Sequence, residues 1–122
     1  MPLVLRNGLV VSEGSGSASG SAWGAPTPLT IASGAISITG AGFYELDTEG
    51  AAASDDLDTI NGGSEGDVIV LKNAADARNV VLKHGTDNLD LIDLDITIDT
   101  TDQRVQLQKN AAGNWVEFAS RP

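Results

Sequence analysis

Cysteine is absent from this 122-residue chain, so disulfides, thiol nucleophiles and thiolate metal sites are all excluded. Aromatic residues are limited to Trp23, Phe43, Tyr44, Trp115 and Phe118. Packing must therefore come from Val, Ile and Leu, which suits thin β layers or interfaces shared between subunits. Basic residues are also scarce, 7 Lys and Arg against 17 Asp and Glu, for a formal net charge of -10. That balance lacks the basic footprint that nucleic acid demands, and it disfavours an anionic membrane surface. No apolar run approaches the length of a membrane span. The apolar N-terminus is broken by Arg6-Asn7-Gly8 with no cationic region ahead of it, so a secretory signal is not expected.

What is present falls into three parts within a single domain's length. Residues 1–11 carry Leu3, Val4, Leu5, Arg6, Leu9, Val10 and Val11, an apolar strip too short to form a core. Residues 12–25 are rich in glycine and serine and read as a flexible tether. Residues 26–122 form the body. A greasy leader separated from its body by a tether is expected to dock on a partner by strand addition. The same residues would also serve as an edge strand laid back on the body or on a sister subunit. Trp23, at the base of the tether, is expected either to seal a subunit interface or to pack in the core.

The body is a succession of short alternating segments separated by turn signals, the pattern of an all-β domain. Leu29–Ile31, Ala35–Thr39, Phe43–Thr48 and Leu57–Ile60 alternate and are bounded by Gly, Ser, Asn and Asp. Asp67–Lys72 is apolar at consecutive positions, which predicts a central strand covered on both sides. Asn79–Lys83 looks similar. Ile92, Leu94, Ile96 and Ile98 alternate with Asp93, Asp95, Thr97 and Asp99, predicting one strand whose phase flips after Leu91 at a bulge or corner. Arg104–Lys109 places Val105 and Leu107 inward, and Asn110–Gly113 predicts a hairpin into Asn114–Phe118. No segment keeps a helical period over three turns. The expected architecture is a small β-sandwich.

Catalytic groups are thinly represented. His84 is the single imidazole, beside Gly85-Thr86 in a turn, and no serine sits in a nucleophile elbow. Asp93, Asp95 and Asp99 share a strand face with Asp102 beyond it, which reads as a solvated face that discourages edge pairing. A hydrolytic carboxylate pair would need aromatic sugar platforms that this composition does not supply. Asp87, Asn88, Asp90, Asp93 and Asp95 cluster oxygen ligands, yet lack the glycine and terminal glutamate of a calcium loop. Gly62–Val70 echoes a calcium β-roll repeat only once, and such sites need stacked copies. The glycines of residues 14–20 precede no lysine and no strand-to-helix turn, so they make no phosphate loop. The expectation is a non-enzymatic protein without cofactor or metal.

Thr30–Ile38, Asp56–Gly63, Gly66–Leu71 and Gly113–Phe118 together resemble the β module of tailed-phage virion proteins. These are capsid decoration (cement) proteins, head fibres and tail-fibre tips, and the resemblance spans roughly Pro28 to Phe118. It implies a jelly-roll-like fold, a homotrimer, and attachment to the major capsid protein at the virion surface. It further implies that the leader, Pro2 to Val11, is the capsid-docking arm. The absence of a fibrous shaft or repeats favours a small cement protein. The alternative is a fibre module binding a host receptor or glycan, centred on Trp115 or Tyr44.

Overall fold

The structure, a computed structural model, describes residues 4–6, 9–11 and 24–118. Its strands are β1 (Val4–Arg6), β2 (Leu9–Val11), β3 (Thr27–Thr30), β4 (Ala35–Ser37), β5 (Gly42–Asp47), β6 (Ser54–Leu57) and β7 (Thr59–Asn61). They continue with β8 (Val68–Asn73), β9 (Asn79–Leu82), β10 (Leu89–Asp90), β11 (Ile96–Ile98), β12 (Val105–Lys109) and β13 (Trp115–Glu117). One 3-10 turn, Glu49–Ala51, joins β5 to β6. The class is all-β, as the alternation implies.

The connectivity departs from the expected sandwich. The body strands form three sheets, ordered β10-β13-β12-β8-β5-β3, β11-β9-β6 and β4-β7. β3 with β5, β5 with β8, β6 with β9, β4 with β7 and β10 with β13 all pair in parallel. Partners such as Ala35 and Thr59, or Ser54 and Asn79, lie about 25 residues apart. A jelly roll is antiparallel, whereas this chain repeatedly circles back to lie beside itself in the same direction. The arrangement is solenoid-like: residues 42–61 supply one strand to each face as β5, β6 and β7, and the next circuit stacks on them.

Stacking explains the core. Leu29, Leu46 and Asn73 share one register column, Tyr44, Leu71 and Val105 a second, and Leu57, Leu82 and Ile96 a third. A single circuit buries none of these alone; each relies on the circuit above or below. Tyr44, Leu46, Leu57, Leu71, Leu82 and Val105 join Ile36, Ile60, Ile69, Val80, Ile98 and Leu107 in one continuous cluster, with Leu29 and Ile96 packed against it partly buried.

Both ends of such a stack need closing. At one edge of the large sheet, β3 carries Pro28, which has no N–H to offer a further strand. Toward the other, where β10 forms the edge beside β13, the antiparallel β12–β13 hairpin turns through Asn110–Gly113 as the sequence predicts. It drives Trp115 into the core, where it is fully buried. The Lys109 ammonium lies 5.8 Å from the Trp115 ring centroid and donates to the carbonyls of Gly62 and Gly63 at 3.1 and 3.2 Å. Gly62 sits at φ +101, and a Cβ there would fall 2.2 Å from the Ile38 carbonyl oxygen. No other residue type fits that corner.

The short β4–β7 face is completed by a side chain. Asn88 Oδ1 accepts from the Ile60 N–H at 3.0 Å, and Asn88 Nδ2 donates to the Ile60 carbonyl at 2.7 Å. The amide thus pairs with β7 as a strand's backbone would. Asn88→Ala leaves both Ile60 groups without their partner and should cost about 2 kcal/mol. Asp90→Ala, at an exposed neighbouring position, should change stability by less than about 0.5 kcal/mol. Urea unfolding of the two variants checks this.

Candidate functional site

Two features other than core residues stand out: the N-terminal strands and the outer side of the six-stranded sheet. β1 and β2 pair with one another in antiparallel register, Val4 with Val11, Leu5 with Val10 and Arg6 with Leu9. They form a sheet of their own and share no ladder with β3–β13. Leu3 and Trp23 lie outside the described residues, and so does most of the tether.

On the large sheet, inward and outward residues alternate strictly. Tyr44, Leu46, Ile69, Leu71, Val105 and Leu107 point into the core. The register row on the opposite side runs Phe43, Val70, Gln106, and Phe118 follows, its N–H donating to the Gln106 carbonyl at 2.8 Å. The adjacent row pairs Val68 with Gln108 and Gln108 with Val116. Phe43, Val68, Val70 and Val116 are half-buried and Phe118 is 49% exposed. Arg104 lies over Phe43, 5.4 Å from the ring centroid. Two ion pairs also lie on this side, Lys72 with Glu45 at 3.9 Å and Arg78 with Asp47. The Arg78 guanidinium, chiefly by hydrogen bonding, holds the Asp47 carboxyl below its ordinary value.

The outer sides of the other two sheets differ. Ser54, Asp56, Asn79 and Thr97 surround Val81 on one, and Ala35, Ser37, Thr59 and Asn61 make up the other. Beside Phe118, a groove of about 550 Å³ opens between β11 and β12, lined by Ile96, Ile98, Val105 and Gln103 among others. The sequence signal for this apolar side was the consecutive Val68-Ile69-Val70-Leu71. It reads as a strand covered twice; in the structure Ile69 and Leu71 are fully buried, whereas Val68 and Val70 are half-buried.

The oxygen-rich residues prove to be fastenings. Asp87, at φ +40, accepts from the Thr59 hydroxyl, and Asn88 clasps Ile60. Asp95 accepts from the His84 N–H at 2.8 Å and from Lys83 Nζ at 2.8 Å. Asp93, Asp99 and Asp102 are exposed and do not converge with them. Among the described residues no three His, Asp or Glu side chains gather as a metal cage would require.

Two expectations are overturned. Ile92 and Leu94 are not in a strand: β11 begins at Ile96, and they stand 57% and 72% exposed in a loop. The loop is fixed at one end by fully buried Leu91 and at the other by Asp95, so its apolar tip cannot fold inward. Trp115 and Tyr44, at 0% and 4% exposure, are core residues and cannot serve as glycan platforms.

No protein-family model matches the chain, and no curated protein or solved structure shows significant similarity to it.

The Lys83–Asp95 pair sets a pH signature. Lys83, and secondarily the His84 N–H, lower the Asp95 pKa from 3.8, while Asp95 raises that of Lys83 from 10.5. A depressed aspartate stabilises the fold above its unfolded value and loses that contribution as pH falls through the folded value. The raised lysine stabilises below 10.5 and fades as pH climbs past its folded value. Lys83→Met should therefore be less stable than wild type at neutral pH by a small, salt-sensitive margin. Urea midpoints measured down the acid limb, below 3.8, should converge.

Proposed function

We propose that this protein is a non-enzymatic decoration (cement) protein of a tailed-phage capsid, held at the virion surface by its N-terminal residues. The observation that carries this reading is that β1 and β2 pair only with each other and lie in none of the three body sheets. A lone two-stranded hairpin is marginal in water, and it gains most when a free outer edge joins another sheet. Such an edge offers main-chain hydrogen bonds to the major capsid protein, while Leu3, Val4, Leu5, Leu9, Val10 and Val11 supply side chains for apolar pockets. Arg6 adds a positive charge to an otherwise acidic molecule.

Residues 12–25 give the body room to sit at a distance from the docking point, up to about 45 Å when fully extended. In a homotrimer, three such weak attachments act together through high effective concentration. The acidic body keeps a densely arrayed coat soluble and repels nucleic acid.

Deleting residues 2–11 should abolish co-sedimentation with phage heads stripped of their decoration protein, and circular dichroism should still report the β body. Undiminished head binding by the deletion variant would refute attachment through these residues.

A further inference from the structure

We propose that the Asn61–Gly62 peptide is a site of covalent modification, where the Asn61 amide is lost through a succinimide and the product loosens the end of the stack at Trp115. The proposal is independent of the reading above.

The reaction needs a free side-chain amide, the peptide nitrogen that follows it, and room for the two to meet. Asn61 is exposed at the end of β7, and its side chain makes no hydrogen bond to a described residue. The Ile38 N–H donates to the Asn61 carbonyl at 2.8 Å. In a trans peptide the N–H points opposite to the carbonyl, so the Gly62 N–H faces away from β4, and no described residue accepts from it there. Gly62 has no side chain to hinder ring closure. Turning this peptide toward the Asn61 side chain breaks the Ile38 bond, the last of the β4–β7 ladder, where strands open most readily. The other asparagines of the body lack this combination. Asn73, Asn88 and Asn110 have their amides engaged by backbone groups, while Asn79 and Asn114 precede the bulky Val80 and Trp115.

Loss of the Gly62 N–H proton to hydroxide lets that nitrogen attack Asn61 Cγ. A nitrogen–Cγ bond forms, the Cγ–Nδ2 bond breaks, and the side-chain nitrogen leaves as ammonia. Water then opens the ring at one of its two carbonyls. Opening at Cγ gives aspartate in an unchanged chain. Opening at the Asn61 backbone carbonyl gives isoaspartate, whose main chain runs through Cβ and Cγ and is longer by one carbon. Gly62 sits at φ +101 against the Ile38 carbonyl oxygen with no space for even a Cβ, so a lengthened chain entering that corner must displace it. The carbonyls of Gly62 and Gly63 hold the Lys109 ammonium beside the Trp115 ring, and their displacement reaches the β12–β13 hairpin.

Peptide mapping over time, on the full chain at mildly alkaline pH beside a urea-unfolded sample, tests this. In the folded sample Asn61 should lose its amide ahead of Asn73, Asn79, Asn88, Asn110 and Asn114, with isoaspartate among its products. Aged wild type should then unfold at a lower urea concentration than fresh protein. Asn61→Ser, a change at an exposed position, should fold as wild type does and keep its midpoint when aged in parallel. That variant retains Asn7-Gly8, which lies outside the described residues, so a change arising there appears in both chains and cancels. An Asn61 amide still intact in folded protein once the unfolded sample has converted overturns the proposal. So does converted wild type that unfolds no more easily than aged Asn61→Ser.

Discussion

Everything in the body depends on one constraint: inward side chains on one circuit must sit in register with those on the next. The pairs Tyr44–Leu71 and Leu57–Leu82 are buried because the backbone returns in parallel after about 25 residues, and antiparallel β12 and β11 then lay Val105 and Ile96 beside them. Scarce aromatics suit this plan, since aliphatic side chains stack at strand spacing without special geometry. The plan leaves two open ends. Pro28 guards one, and buried Trp115 packs beneath the β12–β13 hairpin toward the other.

Holding a register requires the corners between faces to be fixed, and polar side chains do this. Asn73 ends the Leu29–Leu46 column and donates to the carbonyls of Ala75 and Arg78, tying the turn after β8. Asn88 stands in for a strand opposite Ile60, and the Tyr44 hydroxyl donates to the Gly40 carbonyl at 2.8 Å. Asp55 accepts from the N–H groups of Glu49 and Asp56, blunting the free edge of β6 with a carboxylate. Much of the acidic excess is thus spent on backbone groups at corners and edges. The stripe on the large sheet is then left, among the described residues, as its apolar side.

Local pattern made some of this legible and concealed the rest. Val105 and Leu107 inward, the Asn110–Gly113 turn and the strand at Phe43–Asp47 all follow from period-two alternation and turn residues. Alternation reports which way a side chain faces, but it does not report which strand lies alongside. Parallel return and antiparallel sandwich therefore look alike until register is known, and Leu46 aligned with Asn73 conceals the repeat behind a change of residue type. The same blindness merged Ile92 and Leu94 with Ile96 and Ile98, because a buried anchor at Leu91 and an ion pair at Asp95 leave no periodic trace. Trp115 looked available because it sits beside a turn, and only the hairpin's packing shows it filling the end of the stack. The apolar residues before the body were legible as surplus chain, while the stripe on β5, β8 and β13 emerges only once outward rows are aligned.

The absence of native cysteine permits a direct check of the parallel stack. Glu45 and Lys72 are register partners on the outward side of β5 and β8, with Cα atoms about 4.8 Å apart, inside the range a disulfide can bridge. A Glu45→Cys/Lys72→Cys variant should close an intramolecular disulfide under mild oxidation and keep its native dichroism, whereas Glu45→Cys/Asp56→Cys, on different sheets, should not. Failure of the first pair to cross-link in folded protein, with the second pair closing in its place, would contradict the parallel register on which the whole account stands.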